Sequence, residues 1–170
     1  MDCKHLPLLE GQSKTGPRES MFMAIYDFSR ELYAAVMPDK TAGSAARFLE
    51  QVLEECACTI ETAYTDNDKG FQGNPEHHSF TELCQRNGIG QQFTRPTTPK
   101  TNGKTKRVIR TLMEMWHDKE HFESPEHRRK SLARFVNGYN RVKPHKALGN
   151  LMPGEKLCLY FFSQEFVNNS

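Results

Sequence analysis

Thr59-Ile60-Glu61-Thr62-Ala63-Tyr64-Thr65-Asp66-Asn67 is the stretch that decides the fold. The part before Asp66 is rich in β-branched and aromatic residues, which is typical of a strand. Open α/β sheets place their chemistry at the carboxyl ends of their strands. The stretch therefore predicts a strand that presents Asp66 at a functional edge of a sheet.

More strands and a helix are predicted on the N-terminal side of this stretch. Nearly continuous apolar runs at residues 21–28 and 32–37 are typical of strands covered on both faces. The polar segment 10–17 contains glycine and proline and predicts a hairpin loop, so a strand should also precede it. Apolar residues between 45 and 56 recur at helical spacing, which predicts an amphipathic helix capped near Thr41.

On the C-terminal side, residues 80–84 predict one face of a helix and residues 89–93 predict a short strand. Only helices are predicted after this strand. Ser124 and Pro125 predict the N-terminal cap of the last helix. The polar segment 97–104 predicts a loop, from which a long helix should start with an apolar face of Val108, Ile109, Leu112, Met115 and Trp116. The order of three strands, helix, strand, helix and strand predicts an α/β fold.

The composition is that of one soluble domain. The 170 residues suit a single core, and no apolar run approaches the ~20 residues of a membrane span. No secretory leader pattern is visible. We therefore expect a cytoplasmic protein without membrane contact. We also expect the five cysteines to be reduced thiols, because their spacing fits no zinc site.

The positive charge is concentrated in one part of the chain. The net charge is +2, but the stretch from Arg95 to Asn150 has 14 Lys and Arg against 5 Asp and Glu, a difference of +9. The basic residues between Arg95 and Arg110 have no acid among them, which suits a surface that faces phosphates. A solvated basic helix face is the alternative interpretation.

Five short motifs follow one another along the chain. They are Asp2-Cys3-Lys4-His5-Leu6-Pro7, Asp27-Phe28-Ser29-Arg30, Tyr64-Thr65-Asp66-Asn67, Thr101-Asn102-Gly103-Lys104, and Tyr139-Asn140 with Pro144-His145, Leu148-Gly149 and Pro153. Together they resemble the retroviral-type integrase catalytic core of bacterial insertion-sequence transposases. The resemblance implies an RNase H-like fold with a mixed five-stranded sheet flanked by helices. It also implies a catalytic core at residues 1–157 and a C-terminal tail at residues 158–170.

Members of this family hold two divalent cations, Mg²⁺ or Mn²⁺, with two aspartates and a glutamate. Asp2 and Asp66 match the two aspartates, so the resemblance implies that they are catalytic residues and metal ligands. Oxygen ligands suit these hard cations. The family places its first acid inside the first strand, whereas only Met1 precedes Asp2 here, which implies a truncated strand. If position 26 were instead the position of the first acid, Tyr26 would mean that a second of the three metal-binding acids is missing.

Lys106 occupies the position where the resemblance implies the catalytic glutamate, in a register fixed by the motif on both sides. A protonated lysine cannot bind Mg²⁺, so we expect catalysis to be impaired. The resemblance also implies DNA contacts from nearby polar and basic residues, which are Lys100, Asn102, Lys104, Arg107 and Arg110.

Three hypotheses on function follow. The first is a transposase-type integrase core that takes part in DNA integration and binds DNA but is catalytically impaired. The second is a non-catalytic remnant that binds DNA or associates with intact transposase subunits or with copies of itself. The third is a decaying reading frame without a selected role.

Overall fold

The computed structural model describes residues 1–16, 18–74, 76–93 and 99–168, with side chains given except at 99–106 and 165–168. Within these residues the chain alternates strands and helices in the predicted order. The elements are β1 (Asp2–His5), β2 (Ser20–Ile25), β3 (Leu32–Met37), α1 (Ala42–Glu55), β4 (Thr62–Thr65), α2 (Ser79–Arg86), β5 (Gly90–Phe93), α3 (Pro99–Met115), α4 (Pro125–Arg141) and α5 (Pro153–Asn168).

The first three strands form an antiparallel sheet in the order β1–β2–β3. Asp2 lies opposite Met23 of β2, and Ser20 lies opposite Met37 of β3. The segment between β1 and β2 is the hairpin connection that the glycine and proline content of residues 10–17 predicted. This arrangement places Asp2 at one end of the β1–β2 pair.

The remaining two strands, β4 and β5, pair in parallel, with Thr62 opposite Gly90 and Thr65 opposite Phe93. The mixture of parallel and antiparallel pairing is the one predicted. The single five-stranded sheet is not observed, because the described residues form a three-stranded and a two-stranded sheet. The two meet where the Met1 amino nitrogen donates a hydrogen bond to the carbonyl oxygen of Tyr64.

The three-stranded sheet is covered on both faces, as its continuous apolar strands predicted. Successive residues of a strand point to opposite faces, so Phe22 of β2 faces one core while Met21 and Met23 face the other. The first core contains the aromatic side chains of Phe48, Phe71 and Phe80 and is covered by α1 and α2. The second core is covered by α3 and α4 and contains Leu112, Met113, Trp116 and Leu132.

The two predicted helix caps are confirmed. The Thr41 side chain accepts a hydrogen bond from the Ser44 backbone N–H at the start of α1. The Ser124 side chain accepts one from the His127 N–H at the start of α4, where Pro125 is the first helical residue. Local side-chain chemistry was therefore sufficient to locate these two boundaries.

The predicted loop at residues 97–104 is wrong from residue 99 onwards, because α3 begins at Pro99. Proline is well tolerated in the first turn of a helix, and the glycine at position 103 costs only about 1 kcal/mol relative to alanine. Polar composition had suggested a loop, but a helix can also be polar. Residues 97 and 98 lie outside the described residues.

The predicted apolar face of α3 also needs one correction. Met115 is 50% exposed, whereas Met113 is buried. Residues 109, 112, 113 and 116 recur at three- and four-residue intervals, and position 115 falls to one side of that face.

The C-terminal helix α5 was not predicted. It spans the proposed boundary between a core at residues 1–157 and a tail at residues 158–170, and this boundary stays a prediction. None of the five cysteines forms a disulfide in this structure. Across the described ranges, no helix combines the length and hydrophobicity needed to cross a bilayer.

Candidate active site

Asp2 is the first residue of β1 and is buried, with 8% of its surface exposed. Directly opposed residues of an antiparallel pair share a face, so Asp2 lies on the same face as Met23, the face covered by α3. One carboxylate oxygen, Oδ1, accepts a hydrogen bond of 2.7 Å from the Cys3 backbone N–H. A carboxylate in this position is held by the strand backbone and has little contact with water.

Asp66 directly follows β4, as predicted, and is half-buried. Its Oδ1 accepts a 3.2 Å hydrogen bond from the Asp68 backbone N–H, which orients the turn that leaves the strand. The Met1–Tyr64 hydrogen bond holds the start of β1 against the end of β4. Asp2 and Asp66 are thereby brought together from two different sheets.

Asp2 is electrostatically coupled to Asp66. Burial raises the pKa of Asp2 to about 6, and the negative charge of Asp66 contributes in the same direction. The Cys3 N–H, the Met1 amino group and the Lys40 ammonium oppose this rise. The charge of Asp66 thus acts on the carboxyl group of Asp2. A buried acid with a raised pKa beside a second acid is typical of a functional site.

Two carboxylates can hold one hard divalent cation whose remaining ligands are water or phosphate oxygens. In the described part of the chain, no three or more Asp, Glu, His or Cys side chains are grouped so that they could hold a metal ion. Asp2 and Asp66 are two carboxylates that could hold one such cation. They do not supply the several acids that a pair of cations needs.

Position 106 lies within α3, and its side chain is outside the described residues. It is three residues before Ile109 and seven before Met113, a helical spacing that puts these positions on one side of the helix. Ile109 and Met113 pack against the sheet face that carries Asp2. The side of α3 that carries Ile109 and Met113 therefore faces the sheet.

The predicted DNA-contacting residues also lie on α3. Arg107 and Arg110 are exposed, and Arg110 Nε is 3.8 Å from Glu114 Oε1. Lys100, Asn102 and Lys104 belong to the first turns of the helix, but their side chains lie outside the described residues. The structure thus places the five positions on one helix rather than on a loop and a helix.

Two charged residues of the site were missed by sequence reasoning. Lys40, between β3 and α1, forms a 2.5 Å ion pair with Asp68, which follows Asp66 by two residues. No signal identified Lys40, because its partner is distant in sequence.

Asn140 and Tyr139, near the end of α4, make contacts that support the fold. The Asn140 side chain exchanges two 2.8 Å hydrogen bonds with the backbone N–H and C=O of Leu32 in β3. The ring of Tyr139 packs edge-on against His145, with 4.5 Å between ring centroids. These contacts attach α4 to the sheet and do not reach the acids.

A cavity of about 420 Å³ lies between the end of β2 and the segment leading into β4, and Met1 also lines it. Neither Asp2 nor Asp66 lines it. Its walls are largely apolar and include Ala24, Tyr33, Leu49, Val52, Ile60 and Ala63. We therefore place the candidate chemistry at the two acids and not in this cavity.

The chain is similar to known proteins in part of its sequence and in its fold. Residues 87–153 match the family described as "Integrase core domain". Among solved structures, the catalytic core domain of BIV integrase is similar, with a TM-score of 0.65 and 17% identity over 99% of this chain and 97% of that chain. No curated protein matches the sequence. The similarity of structure establishes an RNase H-like fold.

Proposed function

We propose that this chain is a transposase-type integrase core for DNA integration, acting in the cytoplasm, that binds DNA and is catalytically impaired. The observation that carries the proposal is the convergence of Asp2 and Asp66 from β1 and β4. These are the two acids to which the resemblance assigns the metal-binding role. Their mutual repulsion favours a bound cation.

Asp2 and Asp66 would hold this cation, Mg²⁺ or Mn²⁺, with their carboxylate oxygens. When bound, the cation would activate an attacking water or 3′-hydroxyl and would stabilise charge on the phosphate. The residues of this chain hold the acids in position: the β1–β2 pairing fixes Asp2, and the Asp68 N–H orients Asp66. Burial of Asp2 limits the access of water to its carboxylate.

Lys106 is the reason for proposing impaired catalysis. A carboxylate at this position would add a third ligand, whereas an ammonium adds a positive charge. Two unit charges ~4 Å apart in an effective dielectric of ~20 interact by roughly 4 kcal/mol, about a thousandfold in an equilibrium constant. The wild-type protein should therefore hold a divalent cation too weakly for efficient strand transfer.

Lys106→Glu should create Mn²⁺-dependent strand transfer that the wild-type protein lacks, because it supplies the missing oxygen ligand. The measurement is transfer of a labelled DNA end into a plasmid, with and without a short strand-forming extension ahead of Met1. Arg107→Glu is the matched control, since it reverses the same charge at an exposed neighbouring position and should give no activity.

The gained activity should disappear when Asp66→Asn is added to Lys106→Glu. Equal activity of the wild-type protein and Lys106→Glu would contradict the proposed role of position 106. Activity of Arg107→Glu would show that a general change of charge on α3 is sufficient.

DNA binding is the second part of the proposal and rests on the exposed arginines of α3. Replacing Arg107 and Arg110 by alanine should weaken binding to duplex DNA and reduce the slope of log K against log salt by about 0.9 for each lost phosphate contact. Fluorescence anisotropy over a range of salt concentrations measures the DNA affinity and its salt dependence. Arg86→Ala is the control, because α2 packs on the opposite face of the sheet. An unchanged slope in the double variant would contradict this interface.

A non-catalytic remnant that binds other subunits is the alternative, and α5 favours it. This helix exposes Leu159, Tyr160, Phe161 and Phe162, and Phe28 packs edge-on against Tyr160 at 5.0 Å between centroids. Exposed apolar surface of this kind is typical of protein contacts. Salt-dependent DNA binding that survives Asp66→Asn, together with no strand transfer by Lys106→Glu, would favour the remnant.

A further inference from the structure

The ion pair between Lys40 and Asp68 joins two connections at the edge of the acid pair. Lys40 Nζ is 2.5 Å from Asp68 Oδ2, and both side chains are about three-quarters buried, with 28% and 26% of their surface exposed. The other oxygen, Asp68 Oδ1, accepts a 3.0 Å hydrogen bond from the Gly70 N–H. Both oxygens of Asp68 are therefore occupied within the protein.

The backbone in this region supports a fixed position for the pair. A Cβ added to Gly70 would lie 3.1 Å from the carbonyl oxygen of Lys40, so the two connections approach closely only because residue 70 has no side chain. Lys40 is consequently held beside the turn that carries Asp66 and Asp68. Its ammonium is not a freely moving surface charge.

The charge of Lys40 lies next to the turn that carries a candidate metal ligand. Its ammonium pairs with Asp68, whose backbone N–H donates a 3.2 Å hydrogen bond to Asp66 Oδ1. Two aspartates and one lysine thus share one electrostatic environment. One positive charge already compensates part of the negative charge that would attract a divalent cation.

We propose that Lys40 is a built-in counter-ion that weakens divalent cation binding at Asp2 and Asp66, both by its own charge and by keeping the carboxylate of Asp68 occupied. The inference rests on the proposed cation site but concerns a different residue. Removal of the ammonium would leave Asp68 with a free oxygen beside Asp66, two residues away in the same turn. Lys40 therefore sets the affinity of the site, in addition to Lys106.

Titration with Mn²⁺, followed by the electron paramagnetic resonance signal of the free ion, tests this inference without requiring enzymatic activity. Lys40→Met should lower the Kd for Mn²⁺ about tenfold or more, which corresponds to ~1.4 kcal/mol or more. Lys40→Arg keeps the charge and should leave the Kd nearly unchanged. Lys69→Met is the matched control, because it removes an exposed lysine from the same turn.

Asp68→Asn gives an independent test with the opposite sign. It keeps Lys40 in place and retains an oxygen for the Gly70 N–H, but it leaves the ammonium without its carboxylate partner, so Mn²⁺ should bind more weakly than to the wild-type protein. A Kd that does not fall in Lys40→Met, or that falls in Asp68→Asn, would overturn the proposed role of Lys40.

Failure of the cation site itself would look different. Adding Asp2→Asn or Asp66→Asn to Lys40→Met should abolish the gain in Mn²⁺ affinity. If the gain persisted in both, the ion would be binding elsewhere, and the proposed function of the acid pair would be wrong. Thermal unfolding of each variant confirms that the comparisons are made between folded proteins.

Discussion

Replacing Arg128 with alanine should lower the free energy of unfolding by about 3–5 kcal/mol, the usual cost of removing one partner of a buried ion pair. Arg128 lies on α4 and is 1% exposed. Its guanidinium donates hydrogen bonds to Glu19 at 3.2 Å and to the carbonyl oxygen of Pro7 at 2.9 Å. Both partners belong to the connection between β1 and β2. The arginine therefore attaches α4 to the hairpin that carries Asp2.

Arg129→Ala is the matched control for this prediction. Arg129 binds the other oxygen of the same Glu19, at 2.7 Å, but its side chain is 50% exposed. Exposed ion pairs contribute less than about 1 kcal/mol, so this variant should be nearly as stable as the wild-type protein. Urea unfolding at neutral pH measures both variants. Equal losses of unfolding free energy in the two variants would mean that burial does not determine how much Arg128 contributes to stability.

The elements that sequence reasoning located correctly depend on neighbouring residues. The caps at Thr41 and Ser124 use backbone groups three residues away, and the bounds of β3 coincide with an apolar run. Such signals are contained in a short window of sequence. The resemblance to integrase cores added the global arrangement, including the meeting of Asp2 and Asp66, which no local pattern contains.

The contacts that sequence reasoning missed join residues that are distant along the chain. Arg128 and Glu19 are separated by 109 positions, and the pair of Lys40 and Asp68 connects two different turns. A single sequence shows the charges but does not show which of them are buried together. The start of α3 was missed for another reason, because a polar segment with proline and glycine suits both a loop and a helix.

Asp2→Asn should stabilise the protein by ~2–3 kcal/mol above about pH 6, and the gain should vanish near pH 4. The pKa of Asp2 is raised from 3.8 to about 6, first by burial and then by the charge of Asp66. A raised pKa means that the folded protein holds the proton more tightly than the unfolded chain. The wild-type free energy of unfolding should therefore fall as the pH rises from about 4 to about 6, and Asp2→Asn should remove this fall.

Asp39→Asn provides a control of opposite sign at the start of α1. Hydrogen bonds from Ser44 and Thr41 lower the pKa of Asp39, so its carboxylate stabilises the fold at neutral pH, and this contribution is lost as the pH falls toward the lowered value. Asparagine at position 39 should thus destabilise the protein at neutral pH. Urea unfolding of the two variants across this pH range measures both effects.

Opposite responses of these two aspartates would separate a structural acid from a functional one. Asp39 is satisfied by its neighbours, whereas Asp2 is buried beside a like charge at a cost to stability. An acid that destabilises the fold in this way is expected where a bound cation offsets the repulsion. If Asp2→Asn were no more stable than the wild-type protein above about pH 6, the burial of a charged Asp2 beside Asp66 would be contradicted. The proposed cation site would then lose its main physical support, whatever residue stands at position 106.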